Sequence, residues 1–260
     1  KAFQFMRSHD RGTPCTPLLV LLDHLAGYAP YHDRTFGLLP RTPGDQEIFD
    51  LLERQLYFSP TRLPVPGNPR NPEAGYLHPT PHGELGDAML STVPGAIMRR
   101  YPVILLAGDI EFSKFFVHEL VTAAEGGSRI LLHPRLVKAL GPELFARLKN
   151  TGMIEVLEPW ENPDTKRPAA ISRERLRQIE RDTLPIGVDG DPIQYQINRN
   201  QTGWVIELIN NDGVVKEGRK PAVVHPQVIG RVKLTPRFAW KQATEWETGS
   251  ALPKGEVVEL

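Results

Sequence analysis

The sequence predicts an α/β domain built on an open parallel sheet, followed by a small antiparallel β-sandwich. Two short apolar runs, residues 103–107 and 129–133, flank a segment of helical spacing, and such runs are typical of strands buried on both faces. Together they span roughly 30 residues, which matches one right-handed strand–helix–strand unit with parallel strands. From Leu184 onward, short alternating runs separated by turn residues are typical of a sandwich.

The remaining elements of the α/β domain follow the same reasoning. The run PLLVLL at 17–22 predicts the first buried strand, and the spacing of apolar residues in 44–57 predicts a helix. Residues 83–98 carry a weak helical pattern. Residues 153–157 predict the last parallel strand, so we expect four parallel strands in this sheet.

The chain therefore divides into three predicted parts. These are an α/β domain at 1–165, a linker helix at 166–183 and a β-sandwich domain at 184–260. The linker helix is highly charged, with only Leu176 and Ile179 as an apolar stripe, which predicts a strut rather than a core element.

Composition and charge exclude several classes of function. With 31 basic and 31 acidic residues, the chain offers no electrostatic reason for a nucleic acid or membrane partner. No apolar run approaches the ~20 residues that span a bilayer. The single cysteine, Cys15, excludes an intramolecular disulfide and a cysteine-based metal site. The start at Lys1 without a signal peptide indicates a processed product or a segment of a longer chain.

Several short motifs resemble domains of a known family. Residues 203–214, GWVIELINNDGV, are similar to a hairpin in the C-terminal domains of secreted bacterial carbohydrate-active proteins. Residues 73–84 and the stretch YPVILLAGDI at 101–110 are similar to the amidotransferase-like part of such proteins. The whole chain resembles the second and third domains of multidomain bacterial glycoside hydrolases of the β-galactosidase type.

This resemblance implies a fold and a role. The fold would be a flavodoxin-like, class I glutamine-amidotransferase-like α/β domain followed by a β-sandwich. The catalytic TIM barrel would lie N-terminal to these domains, and it needs ~200 residues or more of its own. The resemblance also implies an accessory, non-catalytic portion that braces the barrel and mediates homo-oligomerisation. The substrate would be a carbohydrate, the location secreted or periplasmic, and no cofactor is implied.

The elbow after the central strand is where an amidotransferase would carry its nucleophile. Residues 107–111, AGDIE, contain neither cysteine nor serine, so we do not expect that reaction. Open α/β sheets place their sites at the carboxyl ends of strands. There, Asp109, Glu111 and His133 are the weak catalytic candidates, because a pair of carboxylates can cleave a glycosidic bond. Helix caps and loop anchors are the alternative interpretation of such residues.

Residues in the loops and at other strand ends are candidates for ligand binding. These candidates are Asp23, His24, Tyr28, Tyr76, His78 and Trp160. Aromatic residues in the long loops favour an interface with another domain or subunit over direct sugar stacking. No metal site is predicted, because Pro79 and Pro81 exclude a helical pair of His78 and His82.

Two other functions stay open at the level of sequence. An independent hydrolase would need Asp109, Glu111 and His133 within hydrogen-bond reach of one another. A carbohydrate-binding module would expose sandwich aromatics in a row, with Trp240 and Trp246 carrying polysaccharide binding.

Overall fold

Contacts divide the chain into two compact units in a computed structural model. The α/β unit comprises residues 16–56 and 85–183, and the β unit comprises residues 184–260 with parts of 1–15 and 57–84. The structure describes residues 7–23, 34–35, 39–40, 42–56, 83–163, 166–191, 193–210, 214–215, 221, 223–252 and 257–260.

Five parallel strands form the sheet of the α/β unit. They are β1 (Leu18–Leu22), β2 (Gly86–Leu90), β3 (Val103–Leu106), β4 (Arg129–Leu132) and β5 (Ile154–Val156). Their order across the sheet is β2-β1-β3-β4-β5, and every neighbouring pair is parallel. The predicted open parallel sheet is therefore confirmed.

The predicted strand–helix–strand unit at the centre of the sheet is also confirmed. All four residues of β3 are buried, as are the last three of β4, because both faces of the sheet are covered. Helix α3 (Lys114–Glu125) joins these strands, and the hydroxyl of its N-cap Ser113 accepts the amide of Phe116 at 3.1 Å. On one face of the sheet, Leu106 packs with Phe116 in the main hydrophobic cluster.

The weak helical pattern at 83–98 gave a wrong prediction for most of its length. Residues 86–90 form edge strand β2, and only α2 (Gly95–Met98) is helical. Neither Gly86 nor Asp87 favours a strand, so the pairing with β1 decides the structure. A Cβ on Gly86 would lie 2.9 Å from the carbonyl oxygen of Leu18. Glycine has no Cβ, so it avoids this close contact with the neighbouring strand. The sheet thus has five strands instead of four.

Helices precede β2 and follow β4. Helix α1 (Pro43–Phe49) continues as a π-helical turn, Asp50–Leu56, and α4 (Pro134–Leu140) and α5 (Pro142–Lys149) lie between β4 and β5. Among the helices that the structure describes, none is both long and apolar enough to cross a bilayer.

The region predicted as a linker has structure of its own. Strands β6 (Trp160–Asn162) and β7 (Arg167–Ala169) form an antiparallel hairpin, and α6 (Arg173–Thr183) follows. The apolar stripe of α6 is fully buried, with Leu176 and Ile179 both 0% exposed, and the helix belongs to the α/β unit. The division between the units falls after Thr183.

The β unit consists of small antiparallel sheets. Its strands are β8 (Ile186–Gly190), β9 (Gln194–Arg199), β10 (Trp204–Ile209), β11 (Val214–Val215), β12 (Val223–Val224), β13 (Arg231–Pro236), β14 (Ala243–Thr244), β15 (Ala251–Leu252) and β16 (Val257–Glu259). One sheet has the order β8-β13-β16, and another joins β9 to β10. Residues Thr13–Pro14 pair with β9, so a segment near the start of the chain contributes a short strand to this unit.

A buried tyrosine, Tyr101, lies two residues before β3 and adds stability that depends on alkaline pH. The hydroxyl of Tyr101 donates to the Asp87 carboxylate at 2.7 Å. Burial, together with this hydrogen bond and charge, raises the pKa of Tyr101 from 10.0 to about 12. Because the unfolded chain releases the phenol proton first, the stability that this group adds is complete below pH 10.0 and is lost as the pH rises to about 12.

We expect the phenolate absorbance of Tyr101 to appear only toward pH 12. The measurement is a spectrophotometric titration of the wild type minus Tyr101→Phe, with both proteins checked for folding by circular dichroism. Ionisation of this residue near pH 10, while the fold is intact, would contradict the burial and hydrogen bond described above.

Candidate functional site

The carboxyl edge of the sheet is the place where α/β folds put their sites. Here, Asp23 follows β1, residues 107–111 follow β3 and His133 follows β4. The edge therefore brings together the strand ends that carry the predicted catalytic candidates.

Helix α1 lies directly on the elbow that follows β3. A Cβ placed on Gly44 of the helix would lie 2.6 Å from the backbone nitrogen of Asp109. Gly108 has φ +80°, and a Cβ there would overlap the side chain of Ile48, which is 0% exposed. The two glycines thus allow an approach of helix to elbow that no other residue permits. The elbow after β3 is therefore occupied by the chain's own helix.

The start of α1 is fixed both locally and to the elbow. Thr42 and Asp45 form a capping box, in which the Thr42 hydroxyl accepts the Asp45 amide at 3.1 Å and the Asp45 carboxylate accepts the Thr42 amide at 2.9 Å. The same hydroxyl donates to Oδ2 of Asp109 at 2.7 Å. Residue 42 is therefore tied to the carboxyl edge.

Arg135 of α4 holds α1 and the elbow together. Its Nη2 donates to Oε2 of Glu47 at 2.8 Å and to the carbonyl of Gly108 at 3.0 Å, and its Nε donates to Oε1 of Glu47 at 3.3 Å. Its Nη1 donates to Oδ1 of Asp109. We call Thr42, Glu47, Asp109 and Arg135 the Arg135 cluster.

Two carboxylates, Glu47 and Asp109, share the single guanidinium of this cluster. The Glu47 side chain is only 1% exposed, whereas Arg135 is 32% and Asp109 45% exposed. Burial opposes the charged guanidinium, but the hydrogen bonds and charges of Glu47 and Asp109 outweigh it and raise the pKa of Arg135. A bidentate guanidinium is the group that best stabilises a buried carboxylate such as Glu47.

Asp23 acts as a loop anchor at the end of β1. It is 3% exposed, and its Oδ2 accepts the Ser91 hydroxyl at 3.2 Å and the backbone amide of Glu111 at 3.1 Å. One carboxylate thereby joins the ends of β1, β2 and β3. Asp23 and Thr42, the two residues that border the segment 24–41, are therefore both held at the carboxyl edge.

A second buried polar group lies on the π-helical turn. Asp50 is 0% exposed, and its carboxylate accepts Nε2 of Gln55 at 2.7 Å and Nδ2 of Asn162 at 2.6 Å. Asn162 belongs to β6, so this contact attaches the β6–β7 hairpin to the π-helical turn. These hydrogen bonds compensate the cost of burying the carboxylate.

The structure brings only part of the predicted site together. No hydrogen bond among the described residues joins the side chains of Asp109, Glu111 and His133 to one another. Asp109 binds Thr42 and Arg135, while Nδ1 of His133 accepts the backbone amide of Arg135 at 3.2 Å. The side chain of Glu111 is exposed.

The ligand-binding candidates have different positions. Asp23 lies at the carboxyl edge, and Trp160 is half-buried at the start of β6. Four candidates lie outside the described residues, namely His24, Tyr28, Tyr76 and His78. Within the part of the chain that is described, no group of three His, Cys, Asp or Glu side chains could hold a metal ion.

Sequence reasoning missed Glu47 and Arg135, which carry the geometry of the edge. One signal was available for Glu47, since it lies beside Ile48 on the apolar face of α1, where a carboxylate needs a partner. Another was the position of Arg135 in the first turn of α4, because a cation is unfavourable at a helix N-terminus unless it serves another group.

Among the residues of the β unit that the structure describes, several aromatic side chains contact other rings or a guanidinium. The rings of Trp246 and His9 are 5.0 Å apart, and Trp246 is 37% exposed. Trp240 is half-buried. Trp204 packs on Phe238, and the guanidinium of Arg199 lies 4.9 Å from its ring centroid. These contacts indicate packing roles for the aromatic side chains.

A scan against protein-family models, a search of curated proteins and a search of solved structures each returned no match for this chain.

Proposed function

We propose that this chain is the accessory, non-catalytic portion of a carbohydrate-active enzyme, with a glycoside hydrolase as the parent assembly. Its α/β unit would be flavodoxin-like and similar to amidotransferase domains, and its β unit would be a small sandwich. The strand order β2-β1-β3-β4-β5 supports the first part, because it is the flavodoxin-like order. The motifs at 101–110 and 203–214 support the carbohydrate connection.

The occupied elbow carries the proposal that the α/β unit is not catalytic. In folds of this order, ligands bind where the strand order reverses, here between β1 and β3. At that point Gly44 lies against Asp109, and Asp109 is bound by Thr42 and Arg135. A carboxylate whose oxygens are already bonded within the fold is poorly placed to act as an acid, a base or a nucleophile.

The role that this geometry favours is presentation of loops to a neighbouring domain. Asp23 and Thr42 tie both borders of the 24–41 segment to the carboxyl edge. That segment carries the aromatic residues Tyr28, Tyr31 and Phe36. Aromatic residues are enriched at protein interfaces. The proposed partner is a catalytic barrel, fused or separate, and the proposed assembly is a homo-oligomer that acts on a carbohydrate.

The test is the mass of the native preparation, measured by light scattering with intact mass spectrometry, together with turnover of aryl glycosides. We expect the 260 residues to belong to a larger chain or complex and to be inactive alone. A complete, stable monomer that hydrolyses aryl glycosides by itself would overturn the proposal and favour an independent hydrolase.

A further inference from the structure

The sequence contains one modification motif that the proposed function does not use. Residues Asn200-Gln201-Thr202 have the form Asn-Xaa-Thr with a residue other than proline in the middle. This form is the acceptor motif for N-linked oligosaccharides. No other asparagine among the 260 residues is followed two positions later by serine or threonine, so the motif occurs once.

The motif lies in the turn that joins β9 to β10. Strand β9 ends at Arg199 and β10 begins at Trp204, so residues 200–203 form the tip of an antiparallel hairpin. Gln201 and Thr202 are exposed, and Asn200 is half-buried. An oligosaccharide is bulky and hydrated, so its acceptor must lie at the surface of the folded chain. The tip of this hairpin meets that requirement.

Hydrogen bonds hold the side chains of the motif together. Oδ1 of Asn200 accepts the hydroxyl and the backbone amide of Thr202, both at 2.9 Å, and the amide of Gly203 at 2.8 Å. This arrangement is an Asx turn, in which a hydroxyl two residues later reaches the amide side chain. Nδ2 of Asn200 donates to the carbonyl oxygen of Asp10 at 2.9 Å. That nitrogen carries two hydrogens, and this bond uses one of them.

We propose that Asn200 is an acceptor site for an N-linked oligosaccharide. The donor is an oligosaccharide joined through its C1 atom to a polyprenyl pyrophosphate, and an oligosaccharyltransferase supplies the active site. The bond from Nδ2 to C1 forms while the bond from C1 to the pyrophosphate oxygen breaks, and the pyrophosphate leaves with that electron pair. Nδ2 releases one proton to a base of the transferase, and the step needs neither oxidant nor reductant.

The geometry of the turn favours this step. Loss of a proton from Nδ2 places negative charge on the amide group, which shares it with Oδ1, and three donors already point at that oxygen. The product keeps one hydrogen on Nδ2, so the side chain still has a donor for the carbonyl of Asp10. Modification is therefore compatible with the folded hairpin. This inference does not depend on the proposed function.

The test is expression of the full chain, behind a cleavable signal peptide, in the secretory pathway of a eukaryotic cell that carries an oligosaccharyltransferase. The intact mass is measured before and after treatment of the native protein with a peptide N-glycosidase. We expect the mass to increase by one oligosaccharide, and the glycosidase should remove it without denaturant because the turn is exposed. Peptide mass spectrometry should then find the modified asparagine of position 200 converted to a carboxylic acid.

Variants of the motif identify the acceptor. Asn200→Gln and Thr202→Ala should each abolish the mass increase, whereas Thr202→Ser should retain it because a hydroxyl remains at that position. The matched control is Asn150→Gln, because Asn150 has Thr151 beside it but glycine two positions later. This variant should keep the increase.

The wild-type chain alone decides the outcome if a variant folds poorly, and chain retained inside the secretory pathway is measured in the same way. An unmodified mass of the wild-type chain would overturn the proposal. So would a mass increase that persists in Asn200→Gln, because the oligosaccharide would then lie elsewhere.

Discussion

Replacing Arg135 with leucine should lower the free energy of unfolding by about 2–4 kcal/mol. The substitution leaves Glu47, whose side chain is 1% exposed, buried without its guanidinium. It also removes the bonds to Asp109 and to the carbonyl of Gly108. The expected loss is below the full value for a buried pair, because 32% of the Arg135 side chain is in contact with water. Urea unfolding at neutral pH, fitted with one shared m-value for all variants, measures this loss of free energy.

The double variant Glu47→Leu with Arg135→Leu is the matched control for this prediction. It removes the unpaired buried charge as well as its partner, so we expect it to be more stable than Arg135→Leu alone. If the single and double variants unfold at the same urea concentration, the buried pair is not what holds α1 to α4.

Replacing Gly44 with alanine should destabilise the α/β unit by about 1–3 kcal/mol. Helix propensity alone predicts the opposite sign, because alanine is better than glycine within a helix by roughly 1 kcal/mol. The contact with the elbow reverses this expectation, since the new methyl group would lie 2.6 Å from the backbone nitrogen of Asp109. Backbone cannot move aside as a side chain does, so α1 must shift away from β3.

The same chemical change at Gly203 is the control. A Cβ at that position meets nothing within 4 Å, and we expect Gly203→Ala to change stability by less than about 0.5 kcal/mol. Thermal and urea unfolding of both variants give the comparison. A stabilised Gly44→Ala protein would mean that α1 does not lie on the elbow as described, and it would remove the main support for a non-catalytic role.

The elements that sequence predicts well are those in which burial decides the structure. The apolar runs of β1, β3 and β4 have no stable place outside a covered sheet, and their pattern alone is sufficient. Strand β2 was missed because Gly86 and Asp87 contribute nothing to strand propensity, and its structure depends on an open edge of β1 to pair with. Tertiary pairing of this kind leaves no local pattern.

The residues of the candidate site also differ in how well the sequence predicts them. Asp23, Asp109 and His133 were found because they follow buried strands, and the carboxyl edge of a parallel sheet is shared. The roles of Asp109 and His133 depend on Glu47 and Arg135, which come from α1 and α4 and are 88 positions apart in the chain. No spacing rule connects two such residues, so the Arg135 cluster becomes visible only in the folded chain.

The most direct test of the account is the effect of Asp109→Asn on the native assembly. If Asp109 serves the fold, turnover of aryl glycosides per folded molecule should remain within about twofold of the wild type. The free energy of unfolding should fall by about 1 kcal/mol, the value of a partly exposed ion pair and its hydrogen bonds. A loss of turnover of about 100-fold or more, with stability unchanged, would make Asp109 a catalytic group and contradict the account.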